Sequence, residues 1–280
     1  MRPEVLGVIG LGVIGGSLAR QAKRAGVKRV LGWSPEPAER ARAAADGAVD
    51  DAPPKARDVA RAAQLLVLAA PPAANLTLLD ELAPQQPAGA LATDTGSVKR
   101  PIVARAEALG LRARFAGSHP LAGSHRSGFG ASQADLFRNA LVYVTPLPGG
   151  DDAAREIVHF WEAVLEAQAV VTDAARHDAE LAVTSHLPQA VASLLANVLA
   201  TAVPRGARVG PGARDTTRLA ASAPKLWTEI LLQNRDHLLT ALQSLGGPLE
   251  ALEAALRAGD GAAVERWLGQ AAEWRRGIDA

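Results

Sequence analysis

Apolar and polar positions fall into two regimes along the chain. Over roughly the first 170 residues, apolar runs of four or five alternate with longer stretches of mixed polarity. The runs at 5–9, 29–33, 65–69, 90–93 and 141–145 predict strands, and stretches between them, such as 37–45 and 101–109, predict helices. Such alternation predicts an α/β fold, a doubly wound parallel sheet with helices on both faces. A turn at 146–150, a helix at 153–166 and a short strand at 169–172 complete this part. After Asp173 only helical patterns remain, at 174–202, 216–221, 224–245, 248–258 and 262–277, with a Gly/Pro-rich connector at 206–212. The expected organisation is a sheet domain over 1–172 and an all-helical domain over 173–280. The stretch at 174–202 is apolar on more than one face, which predicts burial against a second copy of the chain, a homodimer through the helical domain; the alternative is the central helix of a monomeric bundle.

The first strand runs directly into G-x-G-x-x-G, carried by Gly10, Gly12 and Gly15. The first glycine permits a tight turn, the second lets backbone approach a pyrophosphate, and the third lets the next helix pack closely on its strand. The helix start then offers free N–H groups to phosphate oxygens. The sheet domain is therefore expected to be of Rossmann type. Its expected dinucleotide contacts are Gly10, Gly12, Val13, Ile14 and Gly15 in the loop, Ser34 after the second strand, and Pro71 and Asp94 after the third and fourth.

Composition narrows the function classes. Of 280 residues, 48% are hydrophobic and 21% charged, and the net charge is +1. That balance marks a globular rather than a disordered chain and argues against a dedicated nucleic-acid binder. The absence of cysteine removes disulfides, thiolate metal sites and cysteine nucleophiles, and no metal is expected. No apolar run is long enough to span a bilayer. The first strand leaves no room for a signal peptide, so a cytoplasmic location is expected.

Four segments could carry chemistry. Asp94-Thr95-Gly96-Ser97-Val98-Lys99 follows a strand, and ligands of open α/β sheets lie beyond strand carboxyl ends; the alternative is an ordinary turn with capping hydroxyls. His119, between glycines and before Pro120, is read as lying on a constrained loop, a candidate general base or a surface residue. His186 and Gln189 share a helix face, with Pro188 expected to bend or open the helix; His186 is otherwise a buried structural histidine. Arg214 and Arg218, four apart, could present two guanidinium groups to an anion, or form a solvated face.

Taken together, V-I-G-L-G-V-I-G-G-S-L-A, D-T-G-S-V-K, H-P-L-A-G-S-x-x-S-G, S-H-L-P and R-D-T-T-R-L-A-A-S-x-P-x-L-W resemble the prephenate/arogenate dehydrogenase family of tyrosine biosynthesis, in order and spacing. The resemblance implies NAD(P)⁺-dependent oxidative decarboxylation of a cyclohexadienol, prephenate first and arogenate as the alternative. It implies His119 as general base on the ring hydroxyl and Ser97 as its hydrogen-bond partner. It implies Arg218 on the ring carboxylate, His186 beside the substrate, and Trp227 reaching the site from the partner subunit. No fused mutase or appended regulatory domain is expected. Two positions depart from the family pattern. Gln189 stands where members often carry a second histidine. Ser34 stands where an acid usually binds the adenosine ribose, which implies that NADP⁺ is accepted at least as well as NAD⁺. A β-hydroxyacid or imine dehydrogenase would carry a helix-borne lysine, and 174–202 has none. A non-catalytic nucleotide-binding protein remains the other alternative.

Overall fold

A computed structural model describes residues 2–123, 127–204 and 206–278. Strands β1 (Val5–Ile9), β2 (Arg29–Trp33), β3 (Leu65–Leu68) and β4 (Leu91–Asp94) form a parallel sheet in the order β2-β1-β3-β4. Helices α1 (Val13–Arg24), α2 (Pro37–Ala45), α3 (Ala56–Ala62), α4 (Pro72–Leu82) and α5 (Arg100–Ala108) connect or follow these strands. One apolar core contains Leu6, Val8, Leu18, Val67 and Trp161; a second contains Ile9, Leu66, Leu68, Val59 and Ile102. Successive residues of β1 and β3 thus feed opposite cores, which is why these strands read as continuous apolar runs.

Three further strands, β5 (Ala116–Pro120), β6 (Leu141–Pro146) and β7 (Gln168–Val171), form a second sheet, with helix α6 (Asp151–Ala163) between β6 and β7. The Ala92 N–H donates to the Arg114 carbonyl, which joins β4 to the start of β5. Here the structure departs from expectation. The segment holding His119 is a strand rather than a loop, and β5 runs antiparallel to β6, with His119 opposite Tyr143. Its A-G-S-H-P sequence has no apolar period; pairing with β6 makes the strand.

The remainder is helical: α7 (Ala174–Leu181), α8 (Leu187–Ala202), α9 (Pro211–Thr216), α10 (Pro224–Gln233), α11 (Arg235–Gln243), α12 (Gly246–Ala258) and α13 (Gly261–Ile278). Asp173 caps α7 by accepting from the Arg176 N–H. A π-helical turn, Ala182–His186, joins α7 to α8. Pro188 has no N–H to give to the preceding turn, so the expected opening of the helix occurs there. The single helix expected over 224–245 is broken at Asn234, whose side chain is wholly buried. No helix among the described residues is long and apolar enough to cross a membrane.

Candidate active site

The glycine turn forms one wall of a cavity of about 490 Å³, lined also by Trp33, Ser34, Glu36, Glu39, Ala70 and Pro71. Gly10 has φ +100, and a Cβ there would lie 2.6 Å from the Ala69 carbonyl oxygen. A Cβ on Gly15 would lie 1.8 Å from the Gly10 carbonyl oxygen, so only glycine closes this turn. At Gly12 a Cβ would meet nothing within 4 Å; the space belongs to the cavity. No side chain caps α1, whose first turn contains Val13 and Ile14, so its leading N–H groups are available to phosphate. These residues fit a dinucleotide.

At the far end of the cavity the structure corrects the reading of Ser34. Its hydroxyl donates to Glu39 Oε2 at 2.6 Å, so a carboxylate is present after all, supplied from α2. Arg40, the nearest arginine, donates instead to the Ser34 and Pro35 carbonyls. Among the described residues the cavity wall thus carries two acids, Glu36 and Glu39, and no basic side chain. The expected tolerance for a 2′-phosphate loses its physical basis.

Asp94 is the second correction. Its carboxylate does not face a ligand: it is 1% exposed, pairs with Lys99 Nζ at 2.5 Å, and accepts from the Gly96 and Ser118 N–H groups. Lys99, wholly buried, also donates to the Ser118 carbonyl at 2.6 Å. Burial pushes its ammonium down, against the opposing pull of Asp94 and Asp178. The pair therefore clamps the Ser97 turn to the strand carrying His119. Ser97 is half-buried, and its hydroxyl has no partner among the described residues.

His119 Nδ1 lies 2.9 Å from His177 Nε2, and His177 Nδ1 lies 2.8 Å from Asp178 Oδ1. Asp178 also accepts from the Lys99 and Arg100 N–H groups. Asn234 Nδ2 donates to the Asp178 carbonyl and to His186 Nδ1. Because His186 Nδ1 accepts, its Nε2 carries the proton, and that buried donor has no partner among the described residues. Gln189 Nε2 donates to the Leu219 carbonyl at 2.9 Å, which ties the turn carrying Arg218 to α8. The carbonyl fixes the amide orientation, so Oε1 is the atom left buried without a partner among the described residues.

Arg218 and Arg214 do not share one helical face. α9 ends at Thr216, and Arg218 opens a separate 3₁₀ turn, Arg218–Ala221. Arg214 lines a groove against α8 with Leu199 and Val203. Arg218 is exposed and forms no ion pair among the described residues. Trp227 packs edge-on against His186 of its own chain, ring centroids 6.1 Å apart, so that contact needs no partner subunit.

His177, Asp178, Asn234 and Asn75 are site residues that sequence reasoning missed. Asn75 Oδ1 accepts from the Ala70 N–H while its buried Nδ2 has no partner among the described residues. The available signal was weak: a His-Asp dipeptide and an Asn-Arg-Asp break inside apolar helices.

Burial pushes His119 well below the ordinary histidine value, and the neighbouring His177, Lys99 and His186 push the same way. His186 is lowered to about 4, mainly by burial. Between about pH 4 and 6.5 the unfolded chain binds protons that the folded chain refuses, so stability falls as pH drops through that window. Each unit of depression is worth about 1.4 kcal/mol. Asp178 is raised by burial but held below 3.8 overall by hydrogen bonds from His177, Lys99 and Arg100, so its own loss comes at lower pH. The thermal unfolding midpoint is expected to be lower at pH 5 than at pH 7; an unchanged midpoint contradicts the neutral assignment of these rings.

A glycine cradle that fits a dinucleotide, and a buried, neutral imidazole in the same chain, point to the class of nicotinamide-dependent oxidoreductases with a Rossmann-type sheet and a helical second part. Residues 18–172 match the family described as prephenate dehydrogenase, nucleotide-binding domain, and residues 173–270 the one described as prephenate dehydrogenase, dimerization domain. The chain belongs to the prephenate dehydrogenase family. It is 32% identical over 287 aligned positions to a prephenate dehydrogenase of Bacillus subtilis (strain 168), covering 99% of this chain and 76% of that one. It is similar to the crystal structure of prephenate dehydrogenase from Aquifex aeolicus in complex with hydroxyphenyl propionate and NAD⁺, with TM-score 0.87, 27% identity and 98% of each chain covered. The Synechocystis arogenate dehydrogenase structure gives TM-score 0.83 and 28% identity, covering 98% of this chain and 99% of that one.

Proposed function

We propose that the chain catalyses NAD⁺-dependent oxidative decarboxylation of prephenate to 4-hydroxyphenylpyruvate. The observation that carries this reading is the buried His119, hydrogen-bonded to His177 and close enough to His186 to be pushed down by it, with His186 Nε2 buried and without a partner among the described residues. A bound nicotinamide supplies the hydride acceptor. Gly10, Gly12, Val13, Ile14 and Gly15 would hold its pyrophosphate, with Pro71 on the cavity wall, and Glu39, rather than Ser34, would supply the carboxylate for the ribose hydroxyls. His119 takes the ring hydroxyl proton as that carbon is oxidised, and Ser97 orients the hydroxyl. The ring carboxylate leaves as CO₂, its bonding electrons aromatise the ring, and His119 returns the proton to the phenolate oxygen. Arg218 binds the carboxylate while it is present.

Arg218→Ala is expected to weaken substrate binding by about 1.5–3 kcal/mol, the worth of a hydrogen bond to a charged group, with kcat less affected. An unchanged substrate KM removes Arg218 from this role.

Arogenate is the second reading, favoured by one atom: Gln189 Oε1, an acceptor without a partner among the described residues, suits an ammonium side chain. One assay grid, each substrate with each cofactor, following reduced nicotinamide, tests both readings. NAD⁺ is expected to exceed NADP⁺ in kcat/KM; equal values contradict the role of Glu39, and no turnover with any pair overturns the function.

The functional unit is proposed to be a cytoplasmic homodimer. Leu194 and Val198 on α8 and Leu239 on α11 are each more than half exposed in the single chain, an apolar surface that a second copy would cover.

A further inference from the structure

His119 has two ring nitrogens, and only an unprotonated one can accept the substrate proton. Which nitrogen carries hydrogen is decided two residues away. Asp178 is wholly buried, and its carboxylate receives the Lys99 N–H at 2.7 Å, the Arg100 N–H at 2.9 Å and the Arg100 side chain at 3.3 Å. Three donors of this kind keep it ionised, and an ionised carboxylate only accepts. The His177 nitrogen 2.8 Å away must therefore be a donor, Nδ1–H. In the neutral ring Nε2 is then a lone pair, and it faces His119 Nδ1 at 2.9 Å. That contact is a hydrogen bond only if His119 Nδ1 carries the proton. Its Nε2 is left as the lone pair.

We propose that His177, backed by Asp178, is a positioning pair that fixes His119 in its Nδ1–H form and so makes Nε2 the proton-accepting atom. The inference rests on the reading of His119 as general base. When His119 takes a proton at Nε2, its Nδ1–H donates more strongly to His177, and the charge is stabilised through that ring by the buried carboxylate. The surroundings hold the relay in place. Tyr143 packs edge-on against the His177 ring at 5.3 Å between centroids and donates its hydroxyl to Glu180. Arg100 and the Asn234 amide hold Asp178 from its other side. The relay crosses between the two halves of the chain, from β5 to α7, so the base is competent only when they are docked.

The test is made on whole protein labelled with ¹⁵N-histidine, using two-bond nitrogen–proton correlation spectra at pH 7, with His119 and His177 assigned from single substitutions. Both rings of the wild type are expected to show the Nδ1–H pattern. In Asp178→Asn the amide N–H₂ can turn toward His177, which reverses its ring and makes His119 an Nε2–H tautomer. There kcat is expected to fall by about 10²–10⁴, the range for a base in the wrong tautomer, with dinucleotide affinity by fluorescence titration unchanged. His177→Gln, which keeps an acceptor oxygen, is expected to retain more activity than His177→Ala. A wild-type spectrum with His119 protonated at Nε2 overturns the proposal and needs no variant. So does Asp178→Asn with His119 unchanged. If His119→Asn keeps its activity, the base reading fails instead, while the tautomer measurement stands.

Discussion

Replacing His119 with asparagine is expected to lower kcat by about 10²–10⁴, the range attributed to a positioned general base, while leaving dinucleotide affinity intact. Asparagine keeps a short polar side chain near His177, so one hydrogen bond across the interface can persist. What it lacks is a basic nitrogen. The position is a strand residue paired with Tyr143 and only 8% exposed, and the cofactor cavity is lined by other residues, so binding and chemistry should separate. Single-turnover reduction of the nicotinamide, measured beside a fluorescence titration with the dinucleotide, distinguishes the two. A variant within threefold of the wild type would remove His119 from the mechanism.

Lys99→Met is expected to cost about 3–5 kcal/mol of stability, because breaking a buried pair from one side leaves the other charge without compensation. Lys99 and Asp94 are 0% and 1% exposed in the side chain, and the ammonium also satisfies the Ser118 carbonyl. Methionine matches the length of the stem, so the cavity term is small and the electrostatic loss dominates. Adding Asp94→Asn to the same chain removes the stranded charge and should recover part of the loss. Denaturant unfolding with an unchanged m-value reads both. A loss below about 1 kcal/mol would show that Asp94 is satisfied by its backbone donors alone.

The dinucleotide half was largely legible from the chain. The glycine spacing, the four apolar runs that became β1 to β4 and the helical run after Asp173 all depend on local pattern, and each of these appears in the structure. The substitution of Ser34 for the usual acid was also legible, but its consequence was not. Glu39 is five residues further along, on a helix whose turn returns it to the strand end, and no spacing rule links the two. Asp94 was misread for a similar reason. A carboxylate after a strand looks like a ligand contact until Lys99 is seen folded back onto it.

By itself, the sequence determined the α/β-then-helical order, the dinucleotide turn and the His119, His186 and Gln189 candidates, because backbone sterics, apolar periodicity and short motifs act over a few residues. Only the tertiary structure decided that His119 lies in a strand, that His177 and Asp178 stand behind it and that Asn234 breaks a helix to reach them. Those pairings join positions 58 and 56 residues apart, and burial and hydrogen-bond complementarity at such separations exist only once the chain has packed.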